Sequence, residues 1–368
     1  MRIAIDVREL VGKPTGVGRY VDQLLRAWAE LPAALQHEFI LCAPERVDVD
    51  AAAGLPISHA TAPGHGTVWE QFVLPRLVRQ ARADVLFAPG YSGPVRCPVP
   101  MVVTIHDISF TAHPEWFSWR EGLRRRVITP WSARRAARVL TISDFSKQEI
   151  IGHYGIDPHK VEVIYFGMTA LRARDQAPAA PTTGPRYILY VGSLFNRRHI
   201  PELVDGFARL ARRRPDVRLE LVGENRTRPH VDVAGLVAGT GVADRITARD
   251  YARDAELAAL YAGASAFVFL SDYEGFGMTP LEALAAGVPI VVLDKAVSRE
   301  VYGPAAIFVE RAEPALIEAA LERAVFDEAE RTRISGAAAS ILERYSWREC
   351  AHRTLQTLLA SGRTRRPD

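Results

Sequence analysis

The stretch that decides the fold runs from Ser265 to Asp294, "SAFVFLSDYEGFGMTPLEALAAGVPIVVLD". Its opening run, "SAFVFLS", is apolar and aromatic, the composition of a buried strand. "EGFG" reads as a turn, because glycine tolerates φ > 0 and lets a ligand approach the backbone. "TPLEALAA" then reads as a helix, with Thr279 at the N-cap, Pro280 at N1 and Glu282 at N3. Gly287 stands where a left-handed C-terminal residue is wanted, and "PIVVLD" is the next strand. The unit is strand, turn, helix, strand, so the two strands lie parallel in one sheet.

The same stretch places Glu274 and Glu282 eight residues apart. Glu282 has a structural reading, as half of a capping box with Thr279. Glu274 is harder to explain that way. It follows a buried strand, where parallel sheets put their ligand crevice, beside the free amides of a helix start. Carboxylate, glycine turn and helix N-terminus together suit a phosphorylated, hydroxyl-rich ligand.

The alternation extends along the chain. "RIAIDV", "EFILCAP", "DVLFAPG", "MVVTIHD", "RVLTIS" and "VEVIYFG" read as strands in the first half. "YILYVGS", "VRLELVG", "RITARDY", "SAFVFLS" and "PIVVLD" do so in the second. Helical patterns intervene at Val17–Glu30, Ile200–Arg214 and Asp254–Ala262. Continuous apolar strands separated by helices predict an α/β protein with parallel sheets. Residues 169–185, rich in Ala, Pro and Thr, read as a linker. The expected organisation is therefore two Rossmann-like domains, 1–168 and 186–344, facing each other across a cleft. The tail "SGRTRRPD" reads as disordered.

Bulk composition narrows the function. The chain has 368 residues, 48% hydrophobic and 24% charged, as in an ordinary globular enzyme. A net charge of +3 implies no nucleic-acid partner. Three scattered cysteines, with no Cys/His ligand cluster, predict neither a disulfide framework nor a zinc site and fit a cytoplasmic protein. The sequence opens directly into "RIAIDV", so no signal peptide is expected. No apolar run reaches the roughly 18 residues that span a bilayer. GxSxG, HExxH and Walker A patterns are all missing.

Three further strand ends carry candidate chemistry. Gly12, Gly16 and Gly18 follow the first strand, without the GxGxxG spacing of a dinucleotide site, and suit either close approach to a phosphate or a plain strand–helix turn. His106 and Asp107 end "VVTIHD", where a histidine contacts a ligand or anchors a loop. Arg197 and Arg198 in "YVGSLFNRRH" could neutralise a diphosphate or form a solvated charge pair.

Taken together, these elements resemble the family-4 retaining glycosyltransferases, whose GT-B fold has two facing Rossmann domains. "EGFGMTPLEALAAGVPIVV" looks like the E-x7-E segment of that family, and "GSLFNRRH" like its donor-diphosphate segment, with Arg-Arg where Arg-Lys is usual. "TGVGRY" resembles the N-terminal glycine loop carrying Gly16 and Gly18, and "TIHD" the strand end with the donor-contacting histidine. "SREVYG" is similar to the segment after the two acids, which puts Glu300 on the same wall.

The resemblance implies that Glu274 contacts hydroxyls of the transferred sugar and that Glu282 binds the nucleotide ribose. Backbone of Gly275, Phe276, Gly277, Met278 and Thr279 would meet sugar and phosphates. Arg197 and Arg198 would stabilise the leaving diphosphate, and His106, with Asp107 beside it, would lie near the reacting carbon. The implied reaction is retaining, proceeds on one face without a protein nucleophile, and needs no metal or other cofactor. GDP-mannose stands first among donors, with UDP- and dTDP-sugars behind it. The implied acceptor is a glycan or polyprenyl-linked glycan held by the N-terminal domain. A final helix near 345–360 would pack back on that domain. A nucleotide-sugar epimerase and a non-catalytic nucleotide-sugar binder are the rival readings.

One charged stretch stands outside the resemblance. Trp119 to Arg138, "WREGLRRRVITPWSARRAAR", holds seven arginines and one acid. Its net charge of +6 leaves −3 for the rest of a chain that totals +3. Pro130 is expected to interrupt or restart the helix. The stretch reads either as a solvated basic face with buried tryptophans or as a peripheral contact with the inner face of the cell membrane.

Overall fold

The computed structural model describes residues 1–12, 16–49, 52–168 and 186–363, with backbone alone at 120 and 121. The expected linker at 169–185 and the end of the tail, 364–368, lie outside the described residues. The chain divides into two units, Met1–Gly167 with Tyr345–Asp368, and Met168–Arg344.

The first unit is built on a seven-stranded sheet of β1 (Arg2–Asp6), β2 (Glu38–Ala43), β3 (Ile57–Thr61), β4 (Val85–Ala88), β5 (Met101–Thr104), β6 (Arg138–Thr141) and β7 (Val161–Val163). Their order is β3-β2-β1-β4-β5-β6-β7, and every pair is parallel. The second unit holds six parallel strands, β8 (Arg186–Val191), β9 (Val217–Val222), β10 (Ile246–Arg249), β11 (Ala266–Phe269), β12 (Ile290–Leu293) and β13 (Ala306–Val309). Their order is β10-β9-β8-β11-β12-β13. The α/β, parallel-sheet reading therefore holds in both units. Each sheet winds one way and then the other, so each has a switch point, at β1/β4 and at β8/β11. Crevices for ligands open at the carboxyl ends of strands flanking such points.

Two strands are not among those read from the sequence. β3, "ISHAT", is an edge strand whose Ser58, His59 and Thr61 break the apolar run. β13, "AIFV", is a four-residue edge strand directly after a 3-10 turn. Pro130 does not break its helix, which runs unbroken from Trp119 to Arg135. Nor is the tail irregular from Ser361 onward, because the last helix continues to Arg363 with Ser361 and Gly362 buried.

That last helix, Trp347–Arg363, belongs to the first unit. The indole N–H of Trp28 donates to the Ala351 carbonyl at 2.8 Å. Arg353 and Thr357 donate to opposite oxygens of Glu162 at 3.0 and 2.8 Å. Gly167 passes so close that a Cβ there would lie 2.2 Å from the Trp347 backbone nitrogen. Leu355 and Leu358 join Leu24, Trp28, Phe39 and Phe87 in one core. In the second unit Gly206 lets the Ile200–Arg213 helix close on Ile317 of the Pro314–Phe326 helix, where a Cβ would lie 2.8 Å from the isoleucine.

Leu358 is fully buried at the seam between the last helix and the first sheet. Leu358→Ala should lower stability by about 2–5 kcal/mol through lost burial and a residual cavity. Urea unfolding followed by tryptophan fluorescence checks this, and an unchanged midpoint would mean the helix is not held by that seam.

Candidate functional site

In the second unit the residues singled out in the sequence gather at the β8/β11 switch point. β8 ends at Val191, and the chain turns through Gly192, with φ of 144°, into a 3-10 turn at Asn196–Arg198. A Cβ on Gly192 would lie 2.7 Å from the Arg198 guanidinium, so glycine is what admits that side chain. Nε and Nη2 of Arg198 donate to Glu274 Oε1 at 3.2 and 3.0 Å, and Nη1 donates to the Ser193 carbonyl at 2.8 Å. The guanidinium also stands 4.6 Å from the Phe269 ring centre. Burial is the largest single influence and works against its charge, but the carboxylate of Glu274 and the phenol of Tyr190 together prevail and raise its pKa.

Glu274 follows β11 and is held from a second side by Ser271, whose hydroxyl donates to the same Oε1 at 2.8 Å. Three donors converge on one oxygen, and Oε2 carries no hydrogen bond from the described residues. A carboxylate fixed through one oxygen presents the other in a defined direction to an incoming hydroxyl. Arg197 is placed differently. Its guanidinium lies 4.3 Å above the Phe195 ring, and its carbonyl accepts from the Asp272 N–H at 2.9 Å.

The helix after the turn begins earlier than its sequence suggests. It spans Met278–Ala285, and Gly277, at φ of 89°, is the N-cap. Thr279 is the second helical residue and Glu282 the fifth, so the Thr279–Glu282 capping box does not form. A left-handed glycine makes the entry, and the Tyr302 hydroxyl pins it by donating to the Gly277 carbonyl at 2.8 Å. A Cβ on Gly277 would come within 2.1 Å of that hydroxyl oxygen. Gly275 and Phe276 are buried in the turn, while Met278 and Thr279 are partly open. Glu282 Oε2 instead accepts from the Tyr261 hydroxyl at 2.9 Å. Burial, then the charge of Glu282, pushes the Tyr261 pKa upward, so the phenol stays a donor. Glu300 is half-buried on the Ala296–Tyr302 helix, the element that also supplies Tyr302.

A second network, which the sequence did not disclose, braces this turn. His199 has φ of 51° and its Nε2 meets Asp272 Oδ2 at 2.6 Å, while Lys295 Nζ reaches Asp272 Oδ1 at 3.0 Å. The only available signal was the adjacency of His199 to the arginines and of Asp272 to Ser271. Burial pulls the His199 pKa down, but the bond to Asp272 and the charges of Asp272 and Glu202 prevail and raise it. The His199 bond first, and then Lys295, holds Asp272 down at about 2.

In the first unit the candidates lie near the β1/β4 switch point and its neighbour β5. His106 is 5% exposed. Its Nε2 is 2.8 Å from the Pro89 carbonyl, which can only accept, so Nε2 carries the hydrogen and Nδ1 is the acceptor end. Tyr20 and Tyr91 pack edge-on at 5.2 and 5.1 Å. Burial lowers its pKa, so the ring is neutral. Asp107 accepts from the Ser109 N–H at 2.8 Å and from the Tyr91 hydroxyl at 3.1 Å. Tyr91 itself has φ of 68°, a strained value for an aromatic residue and one that clusters at functional sites.

After β1, Arg8 bridges Asp6 at 2.9 Å and Glu70 at 2.7 Å, and Ser92 donates to the same Glu70 oxygen at 2.6 Å. Burial drives the Asp6 carboxyl up to about 6, against the opposing pull of Arg8. Glu70 lies in a π-helical turn, Trp69–Val73, and was not identified from sequence because nothing local marks a buried acid there. Gly16 and Gly18 open the Gly16–Ala29 helix; residues 13–15 lie outside the described residues. Among the described residues no cluster of His, Cys, Asp or Glu has the makings of a metal site, and no helix is long and apolar enough to cross a membrane.

The sign of the His199 shift sets a pH dependence. A raised folded-state pKa stabilises below the unfolded value of about 6.5 and is lost as pH climbs through the folded value. The depressed Asp272 contributes above about 3.9 and is lost as pH falls toward 2. The His199 imidazole resonances should therefore titrate above the usual histidine range, and in Asp272→Asn they should titrate lower. Equal values in both proteins would remove the ion pair from the account.

Residues 14–169 match the family described as "Glycosyltransferase Family 4", and residues 172–340 match "Glycosyl transferases group 1". The chain is 30% identical to a glycogen synthase of Mycobacterium tuberculosis over 73% of its own length, and spans 65% of that relative. It is 26% identical to the O-antigen chain mannosyltransferase B of Escherichia coli, over 69% of this chain and 68% of the relative. The Anabaena protein Alr3699/HepE, solved in complex with UDP and glucose, superimposes with a TM-score of 0.73 at 19% identity, over 98% of this chain and 100% of that one. The lipopolysaccharide glycosyltransferase WaaG gives a TM-score of 0.71 at 15% identity, over 97% and 99%. Two doubly wound parallel sheets, the paired acids after β11 and two family matches that together run from residue 14 to 340 agree: the chain has the GT-B fold and belongs to the family-4 glycosyltransferases.

Proposed function

We propose that this protein is a retaining glycosyltransferase that moves a hexose from a nucleotide-diphosphate sugar to a hydroxyl of a glycan or lipid-linked glycan. The observation that carries the reading is the convergence of Arg198 and Ser271 on one oxygen of Glu274 at the β8/β11 switch point. Glu274 then accepts from sugar hydroxyls through Oε2. Glu282, steadied by Tyr261, takes the ribose hydroxyls. Amides from Gly275 to Thr279 meet the sugar and phosphates at the positive end of the helix. Arg197 and Arg198 stabilise charge on the leaving diphosphate, which is where electrostatic preorganisation is most effective. His106, with Asp107 beside it, is assigned to the sugar near the reacting carbon, and Gly16 and Gly18, at a helix start of the first unit, to donor binding. Glu300 extends the donor wall.

In this reading the anomeric carbon loses its bond to the diphosphate oxygen. The acceptor hydroxyl bonds to that carbon on the same face, and its proton passes to the departing phosphate. No protein nucleophile takes part, and the two arginines supply the charge that a divalent metal would otherwise provide. GDP-mannose is the first donor to test, in view of the mannosyltransferase relatives. UDP-glucose is the second, because Alr3699/HepE was also solved with it, and dTDP-sugars follow. The place of action is the cytoplasm. Nucleotide diphosphate release from a donor panel separates transfer from epimer formation and from simple binding, and the anomeric coupling constant of the product reports retention.

Two variants test the site. Arg198→Ala should lower kcat by roughly 30–1000-fold, the loss of about 2–4 kcal/mol of transition-state stabilisation. Arg198→Lys should recover part of it, since a charge returns without the fork. Full turnover in a folded Arg198→Ala protein would remove Arg198 from the diphosphate site. Glu282→Gln keeps an acceptor for Tyr261 and so should leave the melting temperature nearly unchanged while weakening nucleotide affinity. Undiminished affinity by titration calorimetry would make Glu282 structural only.

A further inference from the structure

The basic helix Trp119–Arg135 carries an apolar row on the side that faces solvent. Trp119, Leu123, Val127 and Trp131 are spaced four apart and are 70%, 48%, 50% and 50% exposed. Residues at that spacing line one helix face. The reading of this stretch as a solvated basic face with buried tryptophans is thus corrected for both Trp119 and Trp131. A second element adds to the patch. Arg124 Nη1 donates to Thr67 Oγ1 at 3.1 Å, which brings the helix beside the segment holding Val68 and Phe72, 67% and 63% exposed. Six of the nine exposed large apolar side chains among the described residues therefore sit on two adjoining elements. A concentration of that kind marks an interaction surface, whereas scattered ones do not.

Arginine is interleaved with the apolar row. Arg124, Arg134 and Arg135 are exposed on the same helix, while Arg125 is drawn inward over the Tyr91 and Phe110 rings at 5.6 and 5.9 Å. We infer that this face docks on an anionic lipid bilayer, with Phe72, Trp119, Leu123, Val127 and Trp131 entering the interface and the arginines at the level of the lipid phosphates. Charge selects this occupant. A stretch of net +6 would face its own image in a symmetric pair of chains, and like charges opposed across an interface are repelled. An anionic surface satisfies both features, because tryptophan favours the headgroup region and arginine the phosphates. The inference rests on the surface of the first unit alone and is independent of the donor.

The test uses the full chain with sedimenting phosphatidylcholine vesicles, with and without a third of phosphatidylglycerol. The wild type should sediment with the anionic vesicles at low salt, be released at high salt, and ignore the neutral ones. Leu123→Gln with Val127→Gln, and separately Arg124→Gln with Arg135→Gln, should each weaken partitioning by on the order of tenfold. Both should keep the wild-type melting temperature and donor-dependent nucleotide release. Lipid-phase bromine should quench the wild-type fluorescence, and Trp119→Phe with Trp131→Phe should abolish that quenching. No sedimentation with anionic vesicles, or sedimentation indifferent to both variant pairs, overturns the inference. So does a concentration-dependent dimer in light scattering that the Leu123 and Val127 substitutions disperse, which would make a second copy the occupant.

Discussion

The ion pair between Arg198 and Glu274 is the constraint on which the second unit's site depends. The two side chains are 11% and 20% exposed and 3.0 Å apart. Partly buried charges of this kind cost desolvation and seldom justify themselves by stability alone. Here the surroundings are arranged to keep them. Gly192 leaves room for the guanidinium, Phe269 covers it, the Ser193 carbonyl takes one N–H, and Ser271 shares the carboxylate oxygen. The pair also ties the loop after β8 to the loop after β11, the two lips of the crevice at the switch point. His199, Asp272 and Lys295 make a parallel tie a few residues away. Two charged braces across one crevice hold the loops in register before any ligand arrives, which is the condition for electrostatic stabilisation without reorganisation.

The glycines explain why such a site can be built on short turns. Gly277 is left-handed and lies against the Tyr302 hydroxyl, so the chain enters its helix there and no side chain is tolerated. The helix therefore begins at Met278, nearer to Glu274 in the chain than the capping-box reading places it. Tyr302 and Tyr261 each spend a phenol on this turn, one on a carbonyl and one on Glu282.

What was legible in the sequence follows from these facts. Central strands announce themselves by unbroken apolar runs, because both faces of a parallel sheet are covered. β3 escapes that signal because polar residues interrupt its run, whereas β13 carries an apolar run that was passed over. The position of Glu274 at the switch point was legible because it directly follows a buried strand, whereas its tie to Arg198 and Ser271 was not. The capping box was misread because Thr279 and Glu282 have the right spacing, yet a glycine two residues earlier makes the cheaper entry. His199, Asp272, Glu70 and Tyr91 were beyond reach, since their meaning lies in partners far away in sequence or in a backbone angle. The exposure of Trp119 and Trp131 was likewise invisible, because the same spacing serves a buried face and an open one.

The central claim is that the nucleotide sugar is held by the second unit at the β8/β11 crevice. Hydrogen exchange with and without saturating nucleotide diphosphate measures this directly. The account predicts slowed exchange centred on amides near 192–199 and 270–282, with the strands of the first unit unchanged by the nucleotide. Protection centred on the loops after β1 and β4, with 270–282 unaffected, would contradict it.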